Sequence, residues 1–229
     1  MIAREELEQA FDARFPSEVR DKLRAGRVAV AGLGGLGSHI AVMLARCGVG
    51  HLFLVDFDRV DTTNLNRQAY RIPHLGDYKT DALPALLREI NPYLEIRAER
   101  VLVTEDNAAS LFRGYPIVCE AFDRPENKAM LVSVLLARCP EVTVVSGVGM
   151  AGYGGSNEIR TRQAMKRLYV CGDGITDVGD GMGLMAPRVA ICAGHQANKV
   201  IELILNRESE GIKEKERTDY GRQTDSGRP

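Results

Sequence analysis

The sequence predicts an α/β fold in which a mostly parallel sheet is flanked by helices, with a small β hairpin and a mobile loop near its C-terminal end. Short apolar runs alternate along the chain with segments of helical periodicity, and this alternation is typical of parallel sheets. A chain of 229 residues with 45% hydrophobic content can bury one substantial core. We therefore expect one main domain.

Five apolar runs are the predicted strands of the parallel sheet. They cover residues 28–31, 52–55, 96–101, 117–122 and 142–148. Between them, apolar residues recur on single helical faces, which predicts core-facing helices. The three faces comprise Leu36, Ile40, Met43, Leu44 and Cys47; Leu83, Leu86, Leu87 and Ile90; and Met130, Leu131, Val134 and Leu135.

The boundaries of the second helix are indicated by its flanking residues. Thr80 is the predicted N-cap, Pro84 falls in the opening turns, and Asn91 followed by Pro92 ends the helix because a residue before proline disfavours the helical conformation.

The texture of the chain changes after Gly147, where glycines become frequent. The pattern predicts a small hairpin from segments 157–162 and 168–170, then a glycine-rich mobile loop over 171–183. A long helix is predicted over 186–205. The expected organisation is an N-terminal helical segment (1–24), a main domain (25–206) and a disordered charged tail (207–229).

A phosphate-binding loop is predicted where the first strand ends. Its closely spaced glycines open a helix, so that backbone N–H groups and the positive helix end can face a phosphate; they are Gly32, Gly34, Gly35 and Gly37. Asp56 follows the second strand, where folds of this Rossmann-like type hold a ribose hydroxyl, and Asp58 lies two residues further on at the same nucleotide site. At these residues alone, a dinucleotide-dependent oxidoreductase remains an equal alternative.

Polar residues beyond the second strand favour a nucleotidyltransferase instead. Asn64, Arg67 and Gln68 lie at the predicted ligand-binding edge, where Arg67 could brace a phosphate. Lys79 supplies a second cation able to offset charge on phosphate oxygens. Asp123 follows the fourth strand, and a carboxylate there suits a magnesium ion that bridges phosphates.

Composition excludes several other classes. The net charge of −1 argues against nucleic acid or a membrane as the main partner, and no apolar run approaches the roughly 18 residues of a membrane span. The N-terminus is acidic rather than basic and then apolar, so no secretion signal is predicted. Five cysteines without a C-x-x-C pair favour reduced thiols in a cytoplasmic protein without structural zinc.

The combined motifs resemble the ThiF/MoeB family of adenylyltransferases, which are related to ubiquitin-activating enzymes. The likeness covers about residues 25–206. It rests on Gly32-Leu-Gly-Gly-Leu-Gly37, Asp56-Phe-Asp58, Asn64-Leu-Asn-Arg-Gln68, Lys79, Asp123 and Gly183-Leu-Met-Ala-Pro187. Chain length, Glu120-Ala-Phe-Asp-Arg-Pro125 and Gly149-Met-Ala-Gly-Tyr-Gly154 look most like the short, zinc-free ThiF branch of thiamine biosynthesis.

The resemblance implies that Mg-ATP adenylates the C-terminal glycine carboxylate of a small ThiS-like β-grasp sulfur carrier, releasing pyrophosphate. A sulfur donor such as a cysteine desulfurase would then act, and a homodimer is expected. In this scheme Asp56 would hold the ribose, Lys79 the transferring phosphate and Asp123 the magnesium ion. The remaining phosphate contacts would come from Asn64, Arg67 and Gln68.

The chain departs from the family pattern at several positions. The zinc-binding C-x-x-C pairs are missing, and so is the N-terminal signature whose arginine enters the partner subunit's site, for which Arg14 is the nearest candidate. Arg124 follows Asp123 where many relatives have asparagine. Cys171 is the only cysteine placed like the loop cysteine that forms an acyl disulfide with the carrier in some relatives.

Other functions remain open at this stage. The same chemistry could serve a molybdopterin-type carrier, another small modifier or a modified tRNA base, although a tRNA enzyme is expected to show a basic face. A non-catalytic scaffold that binds a β-grasp partner is a further alternative, which the retained polar residues disfavour.

Overall fold

The computed structural model describes residues 2–177, 179 and 181–223, with side chains described as far as Asn206. Its helices, in chain order, are α1 (Arg4–Asp12), α2 (Ser17–Ala25), α3 (Gly35–Arg46), α4 (Lys79–Ile90), α5 (Glu105–Phe112), α6 (Pro125–Arg138) and α7 (Ala186–Gln223). Its strands are β1 (Arg27–Ala31), β2 (His51–Asp56), β3 (Glu95–Arg100), β4 (Ile117–Glu120), β5 (Thr143–Gly147), β6 (Arg160–Met165) and β7 (Leu168–Gly172).

The seven strands form one sheet in the order β3-β2-β1-β4-β5-β7-β6. All neighbouring pairs are parallel except β6 and β7, which form the antiparallel hairpin at one edge. The predicted fold class is therefore confirmed. The chain order reverses at β1, which lies between β2 and β4, and parallel sheets bind ligands at such a switch point.

Alternating side chains of the strands face two separate helix layers, because successive residues of a strand point to opposite faces. Val28 and Val30 of β1 pack in the core with residues of α3, α4 and α7. Ala29 and Ala31 pack in the opposite core with residues of α5 and α6. Both faces of the central strands are thus covered.

Several predicted boundaries differ from those in the structure. Tyr78, not Thr80, is the N-cap of α4, so that Lys79 is the first helical residue. The predicted strand over 117–122 ends at Glu120, and α5 was not predicted at all. Helix α5 has only eight residues, of which Ala108 and Phe112 are buried, so its apolar face is too short to show a clear period.

The end of the chain extends the predicted last helix. Helix α7 continues beyond Leu205 to Gln223. Residues 224–229 and the side chains of 207–223 lie outside the described part, so the predicted disorder of the tail stays a prediction. Among the described residues, no helix is both long enough and apolar enough to span a membrane.

Candidate nucleotide-binding site

A pocket of about 720 Å³ opens at the carboxyl ends of β1, β2 and β4. This volume suits a small molecule of nucleotide size. Most of the predicted site residues line it: Gly32, Gly34, Gly35, Asp56, Asp58, Asn64, Arg67, Gln68, Lys79 and Asp123. The residues predicted from five separate segments of the sequence therefore meet at one pocket.

The glycine loop packs tightly on the sheet. Gly32 has φ +90°, and a Cβ atom there would lie 2.8 Å from the backbone oxygen of Ala121. A Cβ on Gly37 would lie 1.8 Å from the backbone oxygen of Gly32, so Gly37 lets α3 close on the loop and does not line the pocket. Among the described residues no side chain caps α3 at Gly34, which leaves the first N–H groups of the helix for a ligand.

Asp56 joins two strand ends. Its Oδ2 accepts a hydrogen bond from the Leu33 N–H at 2.6 Å, and its Oδ1 accepts one from the Asp58 N–H at 2.8 Å. The side chain of Asp56 is 7% exposed, whereas that of Asp58 is 50% exposed. Asp58 is therefore more accessible to a ligand than Asp56, the predicted ribose-binding residue.

Lys79 is buried beside these carboxylates. Its Nζ lies 2.9 Å from Asp58 Oδ2 and 3.9 Å from Asp56 Oδ2. The preceding residue, Tyr78, is contacted by two guanidinium groups, with Arg59 Cζ 3.6 Å and Arg100 Cζ 3.9 Å from the ring centroid. These contacts hold the start of α4 and place the ammonium in the pocket.

Tyr70 is a pocket neighbour that sequence reasoning missed. Its hydroxyl donates to the Leu33 backbone oxygen at 2.9 Å. Burial raises the pKa of Tyr70, and the nearby charges of Asp56 and Asp58 raise it further. The phenol thus stays protonated as a donor to the glycine loop.

Arg67 and Gln68 present unsatisfied groups to the pocket. Arg67 Nη1 donates to the Thr63 oxygen at 3.0 Å and to Asn66 Oδ1 at 2.9 Å, and it has no acidic partner among the described residues. Gln68 is only 9% exposed, and its Oε1 has no hydrogen-bond partner in the part of the chain that the structure describes. Asn64 is partly occupied, because its Oδ1 accepts the Asp61 N–H at 3.1 Å.

Asp123 fits a magnesium ion that is shared with phosphates. It is exposed, lines the pocket and has no hydrogen bond or ion pair within the described part of the chain. No group of three His, Cys, Asp or Glu residues there could cage a metal. A single hard carboxylate suits Mg²⁺, which keeps few protein ligands when phosphate oxygens complete its coordination. Arg124 also lines the pocket.

Cys171 does not lie in the glycine-rich loop, which corrects its predicted location. It belongs to β7, where its side chain is fully buried and does not line the pocket. Burial raises the pKa of the Cys171 thiol, although a hydrogen-bonding contact with Thr161 Oγ1 at 3.5 Å lowers it in part. Arg14 is exposed after α1 and likewise does not line this pocket.

A buried ion pair between Asp173 and Arg188 anchors the glycine-rich segment to α7. Arg188 Nη2 lies 2.5 Å from Asp173 Oδ2, and the arginine is 3% exposed. Burial alone would raise the pKa of Asp173. Hydrogen bonds from the N–H groups of Ile175 and Thr176, the Thr176 hydroxyl and Arg188 outweigh it and lower that pKa to about 2.

The fold and pocket define the class: a Rossmann-type α/β protein with a nucleotide-type pocket at the switch point of its parallel sheet. The ThiF family model matches residues 8–224. The chain belongs to the ThiF family, and the predicted family is confirmed.

Curated relatives carry the name "Adenylyltransferase and sulfurtransferase uba4". The protein from Pyricularia oryzae is 31% identical over 198 residues, covering 80% of this chain and 40% of the relative. The one from Aspergillus fumigatus is 40% identical over 120 residues, covering 51% of this chain and 24% of the relative. This chain thus spans less than half the length of these relatives.

Two solved structures from Escherichia coli share the fold. The tRNA N6-threonylcarbamoyladenosine dehydratase TcdA, in complex with ATP, superposes with a TM-score of 0.81 at 21% identity, covering 92% of this chain and 99% of that one. MccB with ATP superposes with a TM-score of 0.64 at 22% identity, covering 83% of this chain and 59% of that one. The relatives' names agree with the predicted enzyme class, an ATP-dependent adenylyltransferase.

Proposed function

We propose that this chain is an ATP-dependent adenylyltransferase that activates a carboxylate. The observation that carries the proposal is the meeting, in one pocket, of the α3 N-terminus with Arg67, Lys79 and the exposed carboxylate of Asp123. These groups match the needs of a magnesium-bound polyphosphate. A hydride-transfer enzyme has no evident use for the last three together.

The proposed reaction needs little acid–base chemistry. A substrate carboxylate oxygen forms a bond to the α-phosphorus of ATP while the bond from that phosphorus to the bridging β-phosphate oxygen breaks. The products are an acyl-adenylate and pyrophosphate. Because a carboxylate is already ionised at neutral pH, no proton has to be removed.

The residues of the chain supply position and charge. Lys79 and Arg67 would offset the negative charge that develops on the phosphate oxygens. Gln68 would bind a phosphate oxygen through the N–H groups of its buried amide. The N–H groups of the glycine loop would hold phosphate, and Asp58 would accept from a ribose hydroxyl while Asp56 fixes the loop. Asp123 would hold Mg²⁺, which neutralises phosphate charge when it is bound.

The proposed substrate is the C-terminal glycine of a small β-grasp sulfur carrier. The ThiF family assignment supports it, and the motif likeness favours a ThiS-like carrier of thiamine synthesis over a molybdopterin-type carrier. A sulfur donor such as a cysteine desulfurase, a homodimer and a cytoplasmic location complete the proposal.

A modified tRNA base is the second candidate substrate. The similarity to TcdA covers 99% of that chain, whereas the similarity to MccB covers 59%. The net charge of −1 argues against a large RNA-binding surface, although Arg59, Arg67, Arg100 and Arg124 lie at or near the pocket. The carrier remains the favoured substrate on charge.

The test is magnesium-dependent ATP–pyrophosphate exchange with a thiamine-type carrier, a molybdopterin-type carrier or bulk tRNA. We expect exchange only with the thiamine-type carrier. Exchange with the molybdopterin-type carrier or with tRNA would support adenylation but contradict the thiamine-type carrier as the substrate. No exchange with any of the three would contradict the proposal.

Two variants examine the residue roles in the same assay. Arg67→Ala and Asp123→Asn should lower exchange by about a thousandfold, as expected for groups that face transferring phosphates. Arg46→Ala and Asp106→Asn are the matched controls, because both residues are exposed on helices and do not line the pocket. Full turnover in Arg67→Ala or Asp123→Asn would overturn the assigned roles.

A further inference from the structure

Glu120 is a fully buried carboxylate at the end of β4. Its Oε1 accepts the Phe122 N–H at 2.7 Å, and its Oε2 accepts from Lys128 Nζ at 2.6 Å and from Ser146 Oγ at 2.5 Å. A carboxylate withdrawn from water persists only with such partners. The side chains of Glu120, Lys128 and Ser146 do not line the pocket, so the nucleotide site described above does not use them directly.

The contacts of Glu120 determine the path of the chain toward Asp123. The carboxylate captures an N–H group two residues further on, which turns the backbone at the point where the strand ends. The Ala121 N–H donates to the Ala31 oxygen at 2.9 Å, and the Ala121 oxygen lies against Gly32. The segment 121–124 thereby rests on the glycine loop.

Lys128 fixes the other end of the same segment. It lies in the first turns of α6, and its N–H donates to the Arg124 oxygen at 3.1 Å. The Glu120–Lys128 ion pair therefore closes a bridge across residues 121–124. Asp123 lies inside this bridge and forms no hydrogen bond of its own with the described residues.

We propose that Glu120 and Lys128 are positioning residues that set Asp123 for the metal-bound nucleotide. The inference rests on the proposed function, because it takes Asp123 as the magnesium ligand. When residues outside the coordination shell position a metal ligand, breaking their interaction commonly lowers metal affinity by about 10- to 100-fold. A pair that only stabilises the fold changes the melting temperature alone.

The test measures ATP affinity by titration calorimetry, with excess Mg²⁺ and with EDTA. The dissociation constant of ATP in EDTA divided by that with Mg²⁺ reports how strongly the metal strengthens ATP binding. This measurement needs no carrier protein. We expect Lys128→Met to lower this ratio about tenfold while ATP affinity in EDTA stays within about twofold. Lys128→Arg should restore the ratio because it restores the ion pair.

Lys199→Met is the matched control. Its Nζ forms an equally short ion pair with Glu202 on α7, at 2.6 Å, without lining the pocket. The control should leave the ratio unchanged. Lys128→Met leaves the buried carboxylate of Glu120 without its ion pair, which can prevent folding. If the single variant does not fold, the double variant Glu120→Gln with Lys128→Met is measured instead.

The outcomes separate the two proposals. A normal ratio in a folded Lys128→Met protein, or in the double variant, overturns the positioning role and leaves the proposed function intact. A wild-type protein whose ATP affinity does not respond to Mg²⁺ contradicts the role of Asp123, and the inference fails with it.

Discussion

The ammonium of Lys79 donates to the carboxylate of Asp58 at 2.9 Å, although the lysine side chain is 7% exposed and the aspartate side chain is half exposed. A buried cation is therefore paired with an acid that the solvent can reach. A phosphate that enters the pocket can share this cation without first desolvating it.

Lys79→Met should lower the rate of ATP–pyrophosphate exchange by about 100- to 1,000-fold, because it removes a cation aimed at developing phosphate charge. Lys79→Arg should retain part of the activity. Exchange at saturating ATP and the melting temperature are measured together. Wild-type turnover in a folded Lys79→Met protein would show that this cation does not face the reacting phosphate.

Gly34→Ala and Gly37→Ala should separate binding from folding. A Cβ at Gly34 meets only Gln68 Nε2 at 3.7 Å, whereas a Cβ at Gly37 would lie 1.8 Å from the Gly32 oxygen. We expect Gly37→Ala to destabilise the fold by about 3 kcal/mol through overpacking. Gly34→Ala should melt near the wild-type temperature and change ATP affinity alone, and equal melting temperatures for the two variants would contradict this assignment.

Cys171 should resist alkylation in the folded protein, because its side chain is fully buried and its thiol pKa is raised by burial. Cys47, which is partly exposed, should react first with iodoacetamide. Peptide mapping after timed labelling measures both rates. Rapid labelling of Cys171 in the native state would revive the acyl disulfide prediction, and Cys171→Ser should leave pyrophosphate exchange unchanged.

The contribution of Asp173 to stability should depend on pH. Its pKa falls from the usual 3.8 to about 2 in the folded protein. A lowered pKa stabilises the fold above the unfolded value, and this stability is lost as pH falls from about 4 toward 2. At pH 7, Asp173→Asn should therefore melt at a lower temperature than the wild type.

The melting-temperature gap between wild type and Asp173→Asn should then narrow between pH 4 and 2. Asp106→Asn serves as the control, since Asp106 is exposed on α5. A gap that stays constant over this range would show that the carboxylate charge is not what stabilises the segment.

The fold was largely predictable because apolar runs and helical faces report burial directly. Strands β1 and β2 are buried on both faces and appear as continuous apolar runs. Helix α5 was not predicted because few of its residues are buried. Its start is nevertheless marked in the sequence by Thr104 and Asn107, which form a capping box. Local patterns thus locate long elements better than short ones.

The site was predictable by residue type but not by role. Asp56 and Asp58 look alike in sequence, and only the fold shows that Asp56 binds two backbone N–H groups while Asp58 pairs with Lys79. The ion pair of Glu120 with Lys128 depends on how α6 packs beside β4, which local patterning does not report. Long-range polar partners have no period to detect.

The two hydrogen bonds that Asp56 accepts have a consequence for the entropy of binding. Through the Asp56 side chain they link the backbone of Leu33 to that of Asp58. The two backbone segments that would flank a nucleotide are therefore already ordered by folding. Ordering a loop costs free energy on association, and a loop held in advance avoids that loss. The pocket therefore offers a ligand a preorganised wall.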